Sequence, residues 1–572
     1  MQYKIYPIRL IVALSVLLVL LGVVGWRVVL LSWTRHARYV QAAQAQAEGV
    51  SNVLLRGNIY LSDQSGQEYL AATNKKFPVL LLTPTRFNPS DRSEAHRRIA
   101  AASGLREDAV AKVADSGSSG ARVLLKKLSD AQVLAIKSLN IAGVTVGYEA
   151  DRSYPMGRLA GDALGFLGYT SEGRAGQYGV ESSYEDILTG RSASEAMVRW
   201  KLWGQILRLF GKDTEEASTA DEGPNDIILT IDKNIQAYAQ SVLDAVLKQY
   251  NAASGTLIVQ QPDTGRILAM ADSPTYDPNS YGSAPTAVFL NGALLPFEPG
   301  SSFKPFTMAM GLDLGKITPT TTFDDSGDVV IDGYNIKNFN EQHFGVVTMT
   351  RILEKSINTG MMWVADRVGN AAFLDFIISM GFGQQTGVDL PGESSGNISN
   401  LYTGRRINFM TASFGQGITV TPLQLISGYS AIANGGRLME PHIVDAIRDD
   451  HGVVTRVEPK MIGTPFTAKT AALLRTMLTS VVDYGFDKAR IPRYDVAGKT
   501  GTAQIASPDG GYLESQYNHS FVGFAPASDP KFVILIRMEK PQGITFAADS
   551  LSPSFREMAL FLLNYMNIPP TR

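Results

Sequence analysis

The sequence predicts a multidomain α+β protein: an N-terminal transmembrane helix, a mixed α+β spacer, and an α/β sandwich in which an antiparallel sheet is flanked by helices. Three observations carry this. An apolar run over 10–26, extended past Arg27 to 33, is long enough to span the roughly 30 Å hydrocarbon core of a bilayer. From 34 to 223 the chain is mixed and richer in polar residues. Beyond 224, strand-like segments are separated by long helical stretches, the pattern of a sheet covered by helices. The expected division is a tail at 1–8, an anchor at 9–33, a first domain at 34–223 and a larger one at 224–572.

The anchor is flanked by Lys4 and Arg9 before it and by Arg27, Arg35 and Arg38 after it, so charge alone does not orient it. Ala43-Gln44-Ala45 and Ala45-Gln46-Ala47 look like small-residue cleavage sites, but they lie far beyond the apolar run, which favours an uncleaved single-pass anchor. Composition narrows the chemistry. A chain of 572 residues has room for several domains, and a formal net charge of −2 without a basic domain argues against nucleic acid as partner. The absence of cysteine excludes disulfides, thiol nucleophiles and zinc–cysteine sites. None of the six histidines has the i, i+4 spacing of a helical metal pair, so neither metal nor cofactor is expected.

Nothing in 34–223 has the look of catalytic machinery. Within it, residues 198–210 read as a basic, aromatic-rich amphipathic helix carrying Arg199, Trp200, Lys201, Trp203 and Arg208, followed by an acidic linker over 214–224. Two readings stand: the helix docks on the membrane surface or a membrane partner, or it packs on its own domain.

In the larger domain, segments 257–260 and 267–271 flank Asp263-Thr264-Gly265 and predict a hairpin, with Gly265 supplying the positive φ of the turn. Thr421-Pro422-Leu423-Gln424 reads as a capping box with proline at the first helical position. Ser554-Phe555-Arg556-Glu557 reads as another, opening a terminal helix. Gly381-Phe382-Gly383 lacks the third glycine of a nucleotide loop, Thr386 standing there instead. Gly392-Glu393-Ser394-Ser395-Gly396 matches a nucleophile elbow but leads into turn-like sequence, so it is read as a loop.

The chemistry is organised around Glu298-Pro299-Gly300-Ser301-Ser302-Phe303-Lys304-Pro305. A serine hydroxyl is a poor nucleophile near neutral pH and needs a base in reach and donors aimed at the developing oxyanion. Ser301 and Lys304, three apart, share a helix face. Pro305 belongs in a first turn, so the helix is expected to begin near Ser301 and to stop at Gly315. A lysine base must be neutral for part of the cycle, which burial or a nearby cation brings about; Lys499 is the candidate cation. Ser356-Ile357-Asn358 falls between two helical stretches, and Lys499-Thr500-Gly501-Thr502 lies beside a strand-like segment. Ser528-Asp529-Pro530-Lys531 and Ser395-Gly396-Asn397 repeat two of these patterns, but in loops.

This ordered set resembles that of the penicillin-recognising serine enzymes. The chain is similar to a class B penicillin-binding protein, a peptidoglycan D,D-transpeptidase, and most like the division-specific (FtsI-type) member. Stretches such as 414–425, 518–526 and Leu229-Thr230-Ile231-Asp232 fit, and Asn358, where elongation-type relatives usually carry Asp, tilts the choice towards division. Arg56-Gly57-Asn58-Ile59-Tyr60, Arg152-Ser153-Tyr154-Pro155-Met156-Gly157 and Gly179-Val180-Glu181 resemble the family's elongated non-catalytic pedestal, or dimerisation domain.

The resemblance implies that Ser301 attacks the penultimate D-Ala carbonyl of a stem peptide, or a β-lactam imitating it, while Lys304 takes the proton. It implies that Ser356 relays a proton to the leaving amine, that Asn358 holds Lys304 and the substrate amide, and that Lys499 supplies positive potential. Thr500 and Thr502 would offer hydroxyls to the substrate carboxylate, and the N–H groups of Ser301 and Thr502 an oxyanion hole. Gly498 and Gly501 are expected to clear a strand edge for an extended peptide. An extracytoplasmic catalytic domain on the plasma membrane and a SEDS-type glycosyltransferase with other division membrane proteins as partners follow from the same likeness. An elongation-type transpeptidase, a β-lactam sensor or β-lactamase, and a non-catalytic divisome scaffold are the alternatives.

Overall fold

The computed structural model describes residues 56–117, 120–171, 173–190, 223–506 and 511–572. The expected anchor at 9–33 and the amphipathic segment at 198–210 lie outside the described residues, among which no helix is long and apolar enough to cross a membrane. The described chain forms two compact units, Asn74–Ser153 and Arg56–Thr73 with Tyr154–Arg572.

Strand β1 (Ile59–Ser62) and the start of β2 (Glu68–Leu82) are antiparallel neighbours in the larger unit. The rest of β2 lies in the smaller unit, which adds α1 (Arg92–Ser103), α2 (Glu107–Ala114), β3 (Arg122–Leu125), α3 (Asp130–Ser138) and β4 (Val144–Ser153). Leu80, Leu82, Ile99, Val110 and Ile136 form its core. Ser129 and Gln132 close a capping box on α3, satisfying amides that the first turn would leave unpaired.

The larger unit begins with a buried ion cluster that brings together residues of all three pedestal-like stretches. Arg56 Nε donates to Glu181 Oε2 at 2.6 Å and Arg56 Nη1 to Glu185 Oε2 at 2.7 Å, while the Tyr154 hydroxyl donates to Glu181 Oε1 at 3.2 Å. Removing one partner of such a buried pair strands the other, at a cost of about 3–5 kcal/mol.

Strand β5 (Asp226–Asp232) runs parallel to β1 and leads into α4 (Lys233–Gln249), whose first amides donate to the Asp232 carboxylate. The predicted hairpin is β6 (Ser254–Gln260) and β7 (Ile267–Ser273), with Gly265 at φ 82°. Then come α5 (Lys304–Asp313), α6 (Met349–Lys355), α7 (Asn358–Val368), α8 (Pro422–Ala433) and α9 (Ala468–Ser480). The chain closes with β8 (Ala497–Ala506), β9 (Tyr512–Ala525), β10 (Phe532–Glu539) and α10 (Ala547–Tyr565). The predicted capping box at Thr421 is present at the start of α8.

Five strands form an antiparallel sheet in the order β8-β9-β10-β6-β7, leaving β8 at an edge. Side chains alternate across it with the period of two that a strand imposes. Leu257, Val259, Phe521, Ile534 and Ile536 pack with α4 and α10. Ile258, Val522, Val533 and Leu535 join the core on the opposite face, with α5 and α8. Burial on both faces explains why β10 reads as a continuous apolar run.

The terminal helix differs from expectation. It starts at Ala547, so Ser554 lies inside it, and Pro553 is an interior residue. Proline lacks an N–H and removes only one rung of the ladder, and buried Leu551, Phe555, Met558 and Leu562 fix the helix against the sheet. Packing thus overrides a local start signal at 554–557.

Candidate active site

The helix carrying the proposed nucleophile begins with a tight turn. Gly300–Phe303 is a 3₁₀ turn and α5 starts at Lys304, with Pro305 in its first turn, so Ser301 sits just ahead of the α-helix. Gly315, at φ 64°, ends it as expected. From Lys304 to Leu312 the helix is buried all round. Phe303, Phe306 and Phe382 form a triangle with centroids 5.1–5.3 Å apart, and Phe306 meets Tyr429 edge-on at 5.4 Å. Each such ring gains about 1.5–3 kcal/mol from burial. This core holds a helix that carries a lysine into the interior.

The turn is held from behind. Gly300 N–H donates to Gly415 O at 3.0 Å, Gly417 N–H to Glu298 Oε1 at 3.1 Å, and the Tyr429 hydroxyl to Ser302 O at 2.7 Å. A Cβ at Gly415 would stand 2.2 Å from Gly300 O, which explains a glycine in 414–417.

Three motifs meet here. Ser356 caps the C-terminal end of α6 with φ 56° and ψ 42°, a left-handed conformation uncommon for a residue with a Cβ, and Asn358 opens α7. Lys304 Nζ donates to Ser356 O at 2.5 Å, Ser356 Oγ at 3.1 Å and Asn358 Oδ1 at 2.8 Å. Lys499 Nζ donates to Ser356 Oγ and Thr500 O, both at 3.2 Å. The Lys304 side chain is 0 % exposed and Lys499 1 %. Burial, and then the charge of Lys499, push the Lys304 amine well below its ordinary range; burial pushes Lys499 down to about 7. No hydrogen bond joins Ser301 Oγ to Lys304 among the described residues: the amine is turned towards Ser356 and Asn358. An ammonium has three donors and finds three acceptors here; a neutral amine would leave one acceptor unserved and a lone pair free.

Edge strand β8 carries the third motif. Lys499 and Gly501 face the nucleophile turn, while the Thr502 hydroxyl accepts from Ala547 N–H at 3.2 Å, tying the strand to the start of α10. The glycines also meet a demand of internal packing. A Cβ at Gly501 would lie 2.3 Å from Ser520 Oγ, 2.7 Å from Pro299 O and 3.1 Å from Ser302 Oγ; one at Gly498 would lie 2.8 Å from the Phe521 ring. They let β8 press against the turn and the core. The edge itself is open because β8 is the last strand of the sheet.

No sequence motif marks the group behind the second motif. Buried Asp325 accepts from Asn338 Nδ2 with both oxygens (3.0 and 2.9 Å), from Thr359 Oγ1 at 2.5 Å and from Phe344 N–H at 2.9 Å. Asn338 Oδ1 in turn accepts from the N–H groups of Asn358 and Thr359 at 2.9 and 3.2 Å. Next to it, Phe339 meets Phe546 edge-on at 5.0 Å. The look-alikes at 395–397 and 528–531 lie in loops, as read.

Comparison with known proteins agrees with this picture. A family model described as the penicillin binding protein transpeptidase domain matches residues 255–558, and one for the penicillin-binding protein dimerisation domain matches 53–218. The chain is 31% identical over 494 residues to Stage V sporulation protein D of Bacillus subtilis, covering 84% of this chain and 74% of that protein. It is 31% identical over 440 residues to peptidoglycan D,D-transpeptidase FtsI of Escherichia coli K12, covering 76% and 71%. Among solved structures, penicillin binding protein 3 of Mycobacterium tuberculosis complexed with ampicillin matches with a TM-score of 0.67 at 25% identity, over 91% of this chain and 97% of that one. The same protein complexed with aztreonam matches with a TM-score of 0.64 at 29% identity, over 74% and 92%. With both domain models matched in order and the three motifs gathered around one buried lysine pair, the chain belongs to the class B penicillin-binding proteins of FtsI type.

Proposed function

We propose that this protein is a serine D,D-transpeptidase that cross-links peptidoglycan stem peptides, for septal wall synthesis, and that β-lactams acylate the same serine. The observation that carries the reading is the convergence of two buried, charge-depleted lysine amines on Ser356 Oγ, beside the turn that presents Ser301.

Ser301 Oγ attacks the carbonyl carbon of the penultimate D-Ala, and its proton passes to the neutral amine of Lys304, which swings one of its three contacts free to receive it. The backbone N–H groups of Ser301 and Thr502 receive the oxyanion. The C–N bond then breaks, the departing D-Ala amine takes a proton through Ser356, and an acyl ester remains on Ser301. Attack by an amine of a neighbouring stem forms the new amide and returns the proton to Ser301. Asn358 orients Lys304, Lys499 keeps it neutral, and Thr500, Gly501 and Thr502 border the substrate along the open edge of β8.

A layout of an anchor at 9–33, a non-catalytic pedestal at 34–223 and a transpeptidase domain at 224–572 suits this activity. The apolar run and the two family matches support it. In it the chain is a single-pass plasma-membrane protein with its catalytic part outside the cytoplasm. Lacking a recognisable polymerase segment between anchor and transpeptidase, it would work with a SEDS-type glycosyltransferase and other division proteins.

The test is labelling of the purified protein with a fluorescent penicillin, with mass spectrometry of the adduct and its lifetime. A long-lived adduct on Ser301, lost in Ser301→Ala, is expected. Rapid turnover of the adduct would indicate a β-lactamase, and a folded protein that takes no label would overturn the reading.

A further inference from the structure

The Asn358 side-chain amide touches two partners with opposite demands. Its Oδ1 accepts from Lys304 Nζ at 2.8 Å, and its Nδ2 donates to Lys337 O at 3.1 Å. Flipping the amide would set a donor against the amine and an oxygen against a carbonyl, so the position of Lys337 decides which end of Asn358 faces the lysine. Lys337 is held through its neighbour. Asn338 Oδ1 takes the amides of Asn358 and Thr359, which are orphan donors at the start of α7, because Ile357 caps that helix with no side-chain bond. Asn338 Nδ2 is spent on both oxygens of Asp325 and on Gln342 O. Thr359 Oγ1 closes the ring by donating to Asp325 Oδ1. Asn338 is 4 % exposed, Asp325 2 % and Thr359 1 %.

We infer that Asn338, locked by Asp325 and Thr359, is a positioning residue of the transpeptidase site: it caps α7 from a distant segment and fixes the Asn358 amide with its oxygen towards Lys304. The inference rests on the functional reading above. Asn338 touches neither Ser301 nor Lys304 and acts only through Asn358. The Asn358 oxygen favours the ammonium form of Lys304, opposing burial and the charge of Lys499, the titratable group whose field acts on that amine. Loosening Asn338 should therefore misplace the amine and also make it easier to deprotonate.

The experiment measures the second-order rate constant for penicillin acylation across pH, with the melting temperature, for the wild-type chain, Asn338→Ala and Thr359→Val. For folded Asn338→Ala an approximately 30-fold slower acylation is expected, the scale of a displacement of a catalytic group by a fraction of an ångström. The acid limb of its pH profile should move to lower pH. Thr359→Val, which loses the hydroxyl bond to Asp325 with little change in shape, should move the limb the same way by less. It also serves as the test if Asn338→Ala fails to fold. A wild-type rate constant and unmoved limb in either folded variant would overturn the inference, because a purely structural role lowers the folded fraction without shifting the limb. If the wild-type chain itself takes no label at Ser301, the functional reading falls and this inference falls with it; labelled wild type with unaltered variants removes the positioning role alone.

Discussion

The amines of Lys304 and Lys499 meet at one hydroxyl: Ser356 Oγ stands 3.1 Å from the first and 3.2 Å from the second. Two ammonium groups cannot share so small a buried space at low cost, and burial already disfavours each. Lys499, at about 7, carries its charge below neutrality and loses it above. Below neutrality its field adds to burial in holding Lys304 deprotonated.

Replacing Lys499 by Met removes that field, so the Lys304 pKa should rise. The acid limb of the acylation profile should move to higher pH, opposite to the shift expected for Asn338→Ala. On the alkaline plateau, where Lys499 is already neutral, the remaining deficit reports the lost bond to Ser356, on the order of 100-fold. Stopped-flow acylation across pH separates the two effects, and a limb that stays put would show that Lys499 does not tune Lys304.

Ser356 occupies a left-handed conformation that costs a residue with a Cβ about 1 kcal/mol relative to glycine. Ser356→Gly should therefore melt at or above the temperature of Ser356→Ala, although it removes more atoms. Both should acylate far more slowly than wild type, since both lose the hydroxyl shared by the two lysines. Parallel melting and labelling curves would distinguish the contribution of the backbone from that of the hydroxyl; a glycine variant less stable than the alanine one would contradict the strain argument.

Gly501 lies where strand and nucleophile turn approach most closely. Gly501→Ala places a methyl 2.3 Å from Ser520 Oγ and 2.7 Å from Pro299 O. The Ser520 hydroxyl can rotate away, but the Pro299 carbonyl is backbone and cannot. Overpacking of this kind costs about 1–3 kcal/mol. The displaced edge strand should also slow acylation, because Lys499 and Thr502 move with it. Denaturant unfolding and penicillin labelling should both report losses.

The residues that meet at the site were legible because each motif is short and its chemistry is local: S-x-x-K at a helix start, S-x-N between helices, K-T-G-T on a strand. The antiparallel sheet was legible from the hairpin at Gly265 and the apolar run of β10. The start of α10 was not, because Ser554-Phe555-Arg556-Glu557 mimics a capping box while the seven residues before Ser554 already belong to the helix that packs against the sheet. Asp325 and Asn338 were invisible for a related reason. They lie 33 and 20 residues from Asn358, in a polar stretch with no motif, and gain their meaning only when the fold closes a buried ring of hydrogen bonds. The packing demand on Gly501 was hidden because a sequence shows that a side chain is missing, without showing which neighbour needs the space.

His519 gives an acid-stability prediction. Opposite Thr502 in the β8–β9 register, it is fully buried, donating from Nε2 to Thr545 O at 3.1 Å and accepting at Nδ1 from Ser550 Oγ at 2.9 Å. Since a carbonyl can only accept, Thr545 fixes the tautomer. Burial pushes the ring down to about 4, partly offset by the Thr545 carbonyl, against about 6.5 in an unfolded chain. Between those values the unfolded chain binds a proton that the native ring refuses, so stability falls as pH drops from about 6.5 towards 4, by a total on the order of 3 kcal/mol. Below 4 the native ring is protonated too and this contribution stops growing. His519→Gln cannot titrate and should flatten the slope in that window, whatever it costs at neutral pH. Urea unfolding at pH 7, 6, 5 and 4 for both proteins isolates the difference; parallel curves would mean that His519 titrates normally in the fold. The consequence reaches the site, because Thr545 and Ser550 bracket the start of α10, whose Ala547 amide holds Thr502 on the edge strand.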